Sequence, residues 1–252
     1  MMRFHNYKIF FAVLFVIVSI ILFTNTALSF TESEPEILLQ QYHSSMSESE
    51  KLSYLRSYTG LVIDKRIVSI DSVISQIRSD YRIPENDKEE MLSLLNDARS
   101  VLEKYKNDAL TASLDDLPIL IENIFIGTRV YQVLLPKVYG MRTSARSKNV
   151  VEDEVIKYFD GISSYILYKQ TLGQDTEDLE ETFEKVKNLT DEIIYRTNLA
   201  KESLMEMKAG KNLSNERQLL EGAKVELSRT QILLMETQFE MRKLIKMMDS
   251  LN

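Results

Sequence analysis

Residues 220–251 read LEGAKVELSRTQILLMETQFEMRKLIKMMDSL. Apolar, small or hydroxyl-bearing side chains recur in this stretch at alternating steps of three and four residues: Leu220, Ala223, Leu227, Thr230, Leu234, Thr237, Met241, Leu244, Met248 and Leu251. An average spacing of about 3.5 residues keeps one face of an α-helix apolar, as in coiled coils. The stretch therefore predicts one long helix that buries this row of side chains, its seam, against other helices.

The same spacing recurs in four earlier segments. Four threonines share the seams of the last two predicted helices, and we expect them to face one another away from solvent. The seam positions are Ile63, Ile67, Ile70, Ile74, Ile77 and Tyr81, then Met91, Leu95, Ala98, Leu102, Tyr105 and Ala109, then Val151, Val155, Tyr158, Ile162 and Tyr165, and finally Leu179, Phe183, Val186, Thr190, Ile193, Thr197, Ala200, Leu204 and Met207.

Glycine and proline are scarce, with 7 and 4 residues among 252. The turn residues that many short strands require are therefore largely missing. Together with the repeated seams, this composition predicts an all-α protein. We expect an elongated bundle of long antiparallel helices that pack like coiled coils.

Residues 119–138 differ from the other segments, because apolar side chains surround most of the helix axis. This pattern predicts a central helix buried on most sides. Pro136 should kink the helix or interrupt its hydrogen bonding. A buried guanidinium at Arg129 needs an acidic or carbonyl partner, which is either Glu122 or a neighbouring helix in a structural contact, or a bound ligand. Arg129, Tyr131 and Pro136 are therefore the candidate structural or interaction residues.

Polar stretches divide the chain into regions. Residues 30–46 are rich in serine and glutamate and predict a polar spacer with one short helix. Residues 47–142 predict a helical hairpin followed by the buried central helix. A loop is expected over residues 140–148, and residues 149–252 predict a three-helix coiled-coil region.

The chain begins with the layout of an export signal. Two basic residues precede an unbroken apolar run at residues 9–23, and small residues follow it. Residues 1–29 therefore predict a signal peptide cleaved before Phe30, or else an uncleaved anchor in which residues 9–30 tether the protein to the membrane. Both alternatives place the body outside the cytoplasm, either secreted or at the outer face of the cytoplasmic membrane.

Charge and composition exclude several function classes. The net charge is −7, and no basic stripe interleaved with aromatic residues could attract phosphate backbones, so we expect no nucleic-acid partner. Cysteine is absent, and the histidines are His5 and His43, which precede the predicted folded body. Thiol nucleophiles, Ser-His-Asp triads and HExxH zinc sites cannot be built. We expect no catalytic residue, no cofactor and no metal.

Two further patterns have alternative interpretations. Acidic clusters lie at predicted helix starts, where carboxylates stabilise the free N–H groups, and we favour this role over metal binding. Several of the eleven methionines cluster near the C-terminus, from Met235 to Met248. At heptad positions they indicate a helix core, although methionines also line adaptable grooves for partners.

The stretches GLVIDKRIVSIDSVISQI at residues 60–77 and IFIGTRVYQVLLPKVYGM at residues 124–141 resemble uncharacterised exported helical proteins of small-genome candidate-phyla bacteria. The resemblance covers roughly the first half of the chain after the predicted signal. Its most distinctive residues are Arg129, Val130, Tyr131, Leu135 and Pro136. The resemblance implies export and a helical-hairpin fold, and it carries no activity.

The expected function is that of a non-enzymatic exported scaffold or interaction protein of the cell envelope or surface. It would bind a protein partner, or itself, through its helical faces. Two alternatives stay open at this point. One is a membrane-active helical protein, and the other is an enzyme with a cryptic acidic or Ser-Lys site.

Overall fold

The computed structural model describes residues 33–210 and 213–251, and these residues form eight α-helices. No strand occurs within these ranges, so the all-α prediction is confirmed. The predicted signal at residues 1–29 lies outside the described residues. The helices are α1 (Ser33–Ser44), α2 (Glu48–Ser79), α3 (Glu85–Thr111), α4 (Asp116–Thr128), α5 (Leu135–Glu154), α6 (Phe159–Thr171), α7 (Glu177–Glu206) and α8 (Ser214–Ser250).

The described residues pack as two compact units. The hairpin unit contains residues 33–149 together with residues 197–210 and 213–227. The C-terminal unit contains residues 150–196 and 228–251. The region predicted over residues 149–252 therefore contributes to both units, because the end of α7 and the start of α8 bury their seams against the hairpin unit.

The helices α2 and α3 pack side by side as the predicted antiparallel hairpin. Tyr81 is exposed, so its predicted place in the seam is wrong. The reason is that α2 ends at Ser79 and Asp80 already has an extended backbone, which turns the chain toward α3. The buried seam residues of the hairpin are Ile63, Ile70, Ile74, Ile77, Met91, Leu95, Leu102 and Ala109.

The segment predicted as a polar spacer, residues 30–46, contains α1, which is longer than the one short helix expected there. This helix lies against α2. Tyr42 packs on a small apolar cluster whose buried members are Leu55, Ala109 and Leu117. The segment is thus part of the hairpin unit, because its apolar side chains have a surface on which to pack.

The predicted central helix at residues 119–138 is interrupted. Arg129 has a left-handed backbone, with φ 42°, and a π-helical turn, Val130–Leu134, joins α4 to α5. The Arg129 carbonyl accepts hydrogen bonds from the backbone N–H groups of Gln132 at 3.1 Å, Val133 at 2.8 Å and Leu134 at 3.2 Å. Pro136 follows as the second residue of α5, which agrees with the prediction that regular hydrogen bonding is disturbed here.

Only one face of α4 is buried, and it carries Leu117, Ile124 and Thr128. Ile119 and Phe125 are exposed, so the prediction of a helix buried on most sides is wrong for α4. Apolar side chains occur all around the predicted helix because the break at Arg129 divides it in two. The two parts, α4 and α5, then bury different faces. Val133, Leu134 and Val138 beyond the break are buried.

The loop predicted over residues 140–148 is wrong, since these residues lie inside α5. Gly140 approaches α7 so closely that a Cβ at this position would lie 2.6 Å from Cδ1 of Leu204. The Ser144 hydroxyl donates to the Thr197 carbonyl at 2.6 Å. The helix therefore continues because its polar and glycine residues are used in contacts with neighbouring helices.

The C-terminal unit is built from α6 and the portions of α7 and α8 that belong to it. The threonine hydroxyls bond within their own helices, from Thr190 to the Lys187 carbonyl at 2.6 Å and from Thr237 to the Leu233 carbonyl at 2.8 Å. All four seam threonines are buried, as predicted, and their mutual pairing stays a prediction. The main core of this unit contains Val155, Ile162, Ile166, Leu179, Phe183, Val186, Met241, Leu244 and Met248.

Within the described residues, length and composition single out one stretch that could cross a membrane, Asp116–Thr171. A helix from the core of a globular protein meets the same criterion. The stretch is also interrupted in the structure, first at Arg129 and again by a 3-10 turn at Ile156–Tyr158.

Candidate interaction surface

The outward face of α8 carries a second row of regularly spaced side chains. Ser228, Ile232, Met235, Phe239, Arg242 and Lys246 follow one another at steps of four and three residues, and all are exposed. We call this row the outer seam. The inner row of the same helix, which includes Leu234, Thr237 and Met241, is buried in the C-terminal unit. The helix therefore presents two heptad-spaced faces, and the body of the protein covers the inner one.

The centre of the outer seam is apolar. Ile232 is 52% exposed, Met235 is 46% exposed and Phe239 is 66% exposed. Single exposed hydrophobic residues are common on protein surfaces, but these three occupy positions i, i+3 and i+7 of one helix, which lie on the same side. Anchors with this spacing are typical of helices that dock against another helix or into a groove.

An ion pair joins α8 to α7 next to Phe239. The Lys185 amino group donates to Glu240 Oε1 at 2.5 Å, and the Glu240 side chain is nearly buried. This hydrogen bond, and then the charge of the carboxylate, raise the pKa of the Lys185 amino group above its ordinary value. The neighbours Glu240 and Met241 are buried, which leaves Phe239 on the outward side of α8.

The sequence left open whether the methionines of α8 belong to the helix core or to a groove for a partner, and the structure shows some in each kind of place. Met241 and Met248 are buried in the core of the C-terminal unit, whereas Met235 is in the outer seam. Because the thioether side chain is unbranched and adaptable, Met235 is suited to a contact surface.

Arg129 lies at the break between α4 and α5. Its Nε donates to the Gly210 carbonyl at 3.0 Å, and its Nη1 donates to Gln132 Oε1 at 2.6 Å. The carbonyl partner is Gly210, which lies in the connection after α7 and not in one of the helices. This contact ties the left-handed residue to the chain that follows α7.

Tyr131 lies in the π-helical turn and reaches toward α2. Its hydroxyl is 3.1 Å from the Ser69 hydroxyl and donates to the Lys65 carbonyl at 3.3 Å. The Ser69 hydroxyl in turn donates to the Lys65 carbonyl at 2.9 Å. No hydrogen bond joins the Ser69 hydroxyl to the Lys65 amino group, which is the contact that a Ser-Lys nucleophile requires.

The sequence interpretation missed Arg66, which is buried beside Tyr131. The guanidinium lies 4.3 Å from the centre of the Phe125 ring and 5.5 Å from that of Tyr131, and Nη1 donates to the Val62 carbonyl at 3.0 Å. Burial lowers the pKa of this guanidinium below its ordinary value, and the neighbouring tyrosines oppose the effect. The guanidinium thus makes cation–π contacts from α2 to α4, through Phe125, and to the π-helical turn, through Tyr131, which is a structural role.

The acidic clusters do not converge on a metal site in the structure. Among the described residues, no group of three or more histidine, cysteine, aspartate or glutamate side chains is placed to hold a metal ion. Comparison with known protein families, with curated proteins and with solved structures yields no match.

Proposed function

We propose that this protein is a non-enzymatic exported interaction protein of the cell envelope or surface, an elongated helical bundle that binds a protein partner through the outer seam of α8. The observation that supports this function is the row Ile232, Met235 and Phe239, which is apolar, exposed and regularly spaced. A partner helix laid along this row would bury the three side chains and complete a second coiled-coil contact.

The row has the composition of an interface centre. Phenylalanine and methionine are enriched in the cores of protein interfaces, where they supply much of the buried apolar area. Lys246 continues the row beyond the apolar centre, and it is exposed. A partner helix with acidic residues at that end would complement this charge.

Replacing Phe239 with aspartate is expected to abolish partner binding and to leave the fold intact. The carboxylate would be buried without a partner in the complex, whereas in the free protein the side chain meets solvent. The free energy of unfolding should change by no more than about 0.5 kcal/mol. The measurement is crosslinking in intact cells through a photoreactive residue placed at Met235, in the wild-type and variant backgrounds.

Leu167→Asp is the matched control for this experiment. Leu167 is 63% exposed, against 66% for Phe239, and both lie in the C-terminal unit. Leu167→Asp should keep the crosslinked product and Phe239→Asp should lose it. If both variants keep the product, or if no protein is crosslinked at Met235, the proposed surface is wrong. A product twice the mass of the chain would identify a second copy as the partner.

Export is tested by the intact mass of the protein from its native cells. Cleavage of the predicted signal gives a mature chain that starts at Phe30. A membrane-associated chain that starts at Met1 would instead support the anchor, with residues 9–30 as the tether. Recovery of the protein from the cytoplasm with Met1 in place would contradict export in either form.

A further inference from the structure

Three arginines surround one buried carboxylate at the turn between α2 and α3. The Asp80 side chain is 2% exposed. Its Oδ1 accepts from the backbone N–H of Arg82 at 3.2 Å and from Arg82 Nε at 3.3 Å. Its Oδ2 accepts from Arg142 Nη2 at 3.0 Å and from Arg142 Nε at 3.2 Å, and it lies 2.9 Å from Arg146 Nε. We call these four residues the arginine cluster.

The arginine cluster carries more positive charge than it neutralises. Three guanidinium groups face one carboxylate, which gives the cluster an excess of two positive charges. The net charge of the whole chain is −7, so this positive excess is local. The carbonyl groups at the end of α2 contribute about half a negative charge, which leaves most of the excess uncompensated. All three arginine side chains are largely buried, where unbalanced charge is costly.

Two of the three guanidinium groups have unused donors. Arg142 is occupied, since it donates to Asp80 and also from Nη1 to Gln76 Oε1 at 2.9 Å. Arg82 donates only to Asp80, through its backbone N–H and its Nε, and its guanidinium lies over the exposed ring of Tyr81.

Arg146 is buried to more than nine-tenths, and its Nε makes no hydrogen bond despite lying near Asp80. The terminal N–H groups of Arg82 and Arg146 likewise donate to none of the residues that the structure describes. A guanidinium carries four such terminal N–H groups in a planar fork. Both forks belong to side chains that reach the same carboxylate, Arg82 at Oδ1 and Arg146 at Oδ2.

We propose that the arginine cluster binds a phosphate group. A phosphate monoester carries about 1.5 to 2 negative charges, which matches the excess, and its oxygens match the paired donors of a guanidinium fork. Asp80 orients the arginines and prevents them from separating. The phosphate belongs either to a small soluble ligand or to the headgroup of an anionic lipid, and this chemistry is common to both.

Pyrophosphate is the first probe, because it carries the same group at higher charge. Isothermal titration at constant ionic strength should show binding to the full chain, and Arg82→Gln should weaken it at least about tenfold, since a hydrogen bond to a charged group is lost. Arg99→Gln is the matched control, because it removes the same charge from an arginine that lies against two carboxylates, those of Asp71 and Glu103, and therefore has no excess positive charge. The control should bind as the wild type does.

Vesicles that contain phosphatidylglycerol form the second arm. Binding to these vesicles but not to pyrophosphate, lost in Arg82→Gln and kept in Arg99→Gln, assigns the phosphate to a lipid headgroup. Absence of binding to both probes, or equal binding by the wild type and both variants, overturns the proposal. If Arg82→Gln does not fold, the wild type decides, since pyrophosphate should raise its melting temperature above that in chloride of equal ionic strength. Phe239→Asp should bind both probes normally, which separates this site from the outer seam.

Discussion

Asp80→Asn is expected to lower the free energy of unfolding by about 3 to 5 kcal/mol, the usual cost of removing one partner from a buried ion pair. Asparagine keeps the volume of the side chain but not its charge. Arg82, Arg142 and Arg146 would then face one another in a largely buried turn without a compensating carboxylate. Urea denaturation followed by far-ultraviolet circular dichroism measures this difference.

Asp71→Asn provides the control for this loss of charge. The Asp71 carboxylate pairs with Arg99 Nε at 3.0 Å, and the side chain is about half exposed. Exposed pairs contribute roughly 0 to 1 kcal/mol, so this variant should be almost as stable as the wild type. Equal stability losses in the two variants would show that the arginine cluster does not depend on Asp80.

Gly140→Val is expected to lower the free energy of unfolding by about 1 to 3 kcal/mol, because the packed interior cannot accept the added atoms. A Cβ at this position would lie 2.6 Å from Cδ1 and 2.9 Å from Cδ2 of Leu204, and Leu204 is fully buried. The leucine would have to leave its position, or α5 and α7 would have to separate. Thermal and urea unfolding both report the effect.

Two further variants show whether this loss comes from the contact with Leu204. Gly222→Val adds the same side chain to α8, at a place where a Cβ meets nothing within 4 Å, and should not destabilise the protein. Leu204→Ala in the Gly140→Val background should cost less than the two single changes added together, since the smaller side chain makes room. Additive losses would contradict the close contact.

The heptad spacing predicted the burial of the seam of α2 and α3, and the short link at residues 83–86 between the two patterned segments predicted that they form a hairpin. Ile63, Ile70 and Met91 are buried as expected, because a 3.5-residue repeat leaves one apolar face and the other helix is the nearest place to bury it. The all-α class followed from the same repeats and from the scarcity of glycine and proline.

The sequence could not predict the course of the chain from α4 to α5. Gly140 and the basic residues after it have the composition of a loop, but in the structure they contact distant residues that include Leu204 and Asp80. The break at Arg129 is equally hidden, since arginine has no intrinsic preference for a left-handed backbone. Both features depend on residues distant in the sequence.

The candidate surfaces differ in how far they could be predicted. Ile232, Met235 and Phe239 are visible in the sequence, but α8 is apolar on two sides, and spacing does not say which side the body covers. The arginine cluster could not be predicted, because Asp80 and Arg146 are brought together only when α5 packs beside the end of α2.

The distribution of charge along the outer seam also favours one direction for a partner helix. Ser228 at one end is neutral, and Lys246 at the other end is cationic. Two copies aligned in the same direction would bring their lysines together, and two copies in opposite directions would set each lysine against a serine. In neither arrangement does a seam residue of the second copy supply a carboxylate, so we expect a different protein with acidic residues at this end to bind better than a second copy, in the orientation that places them beside Arg242 and Lys246.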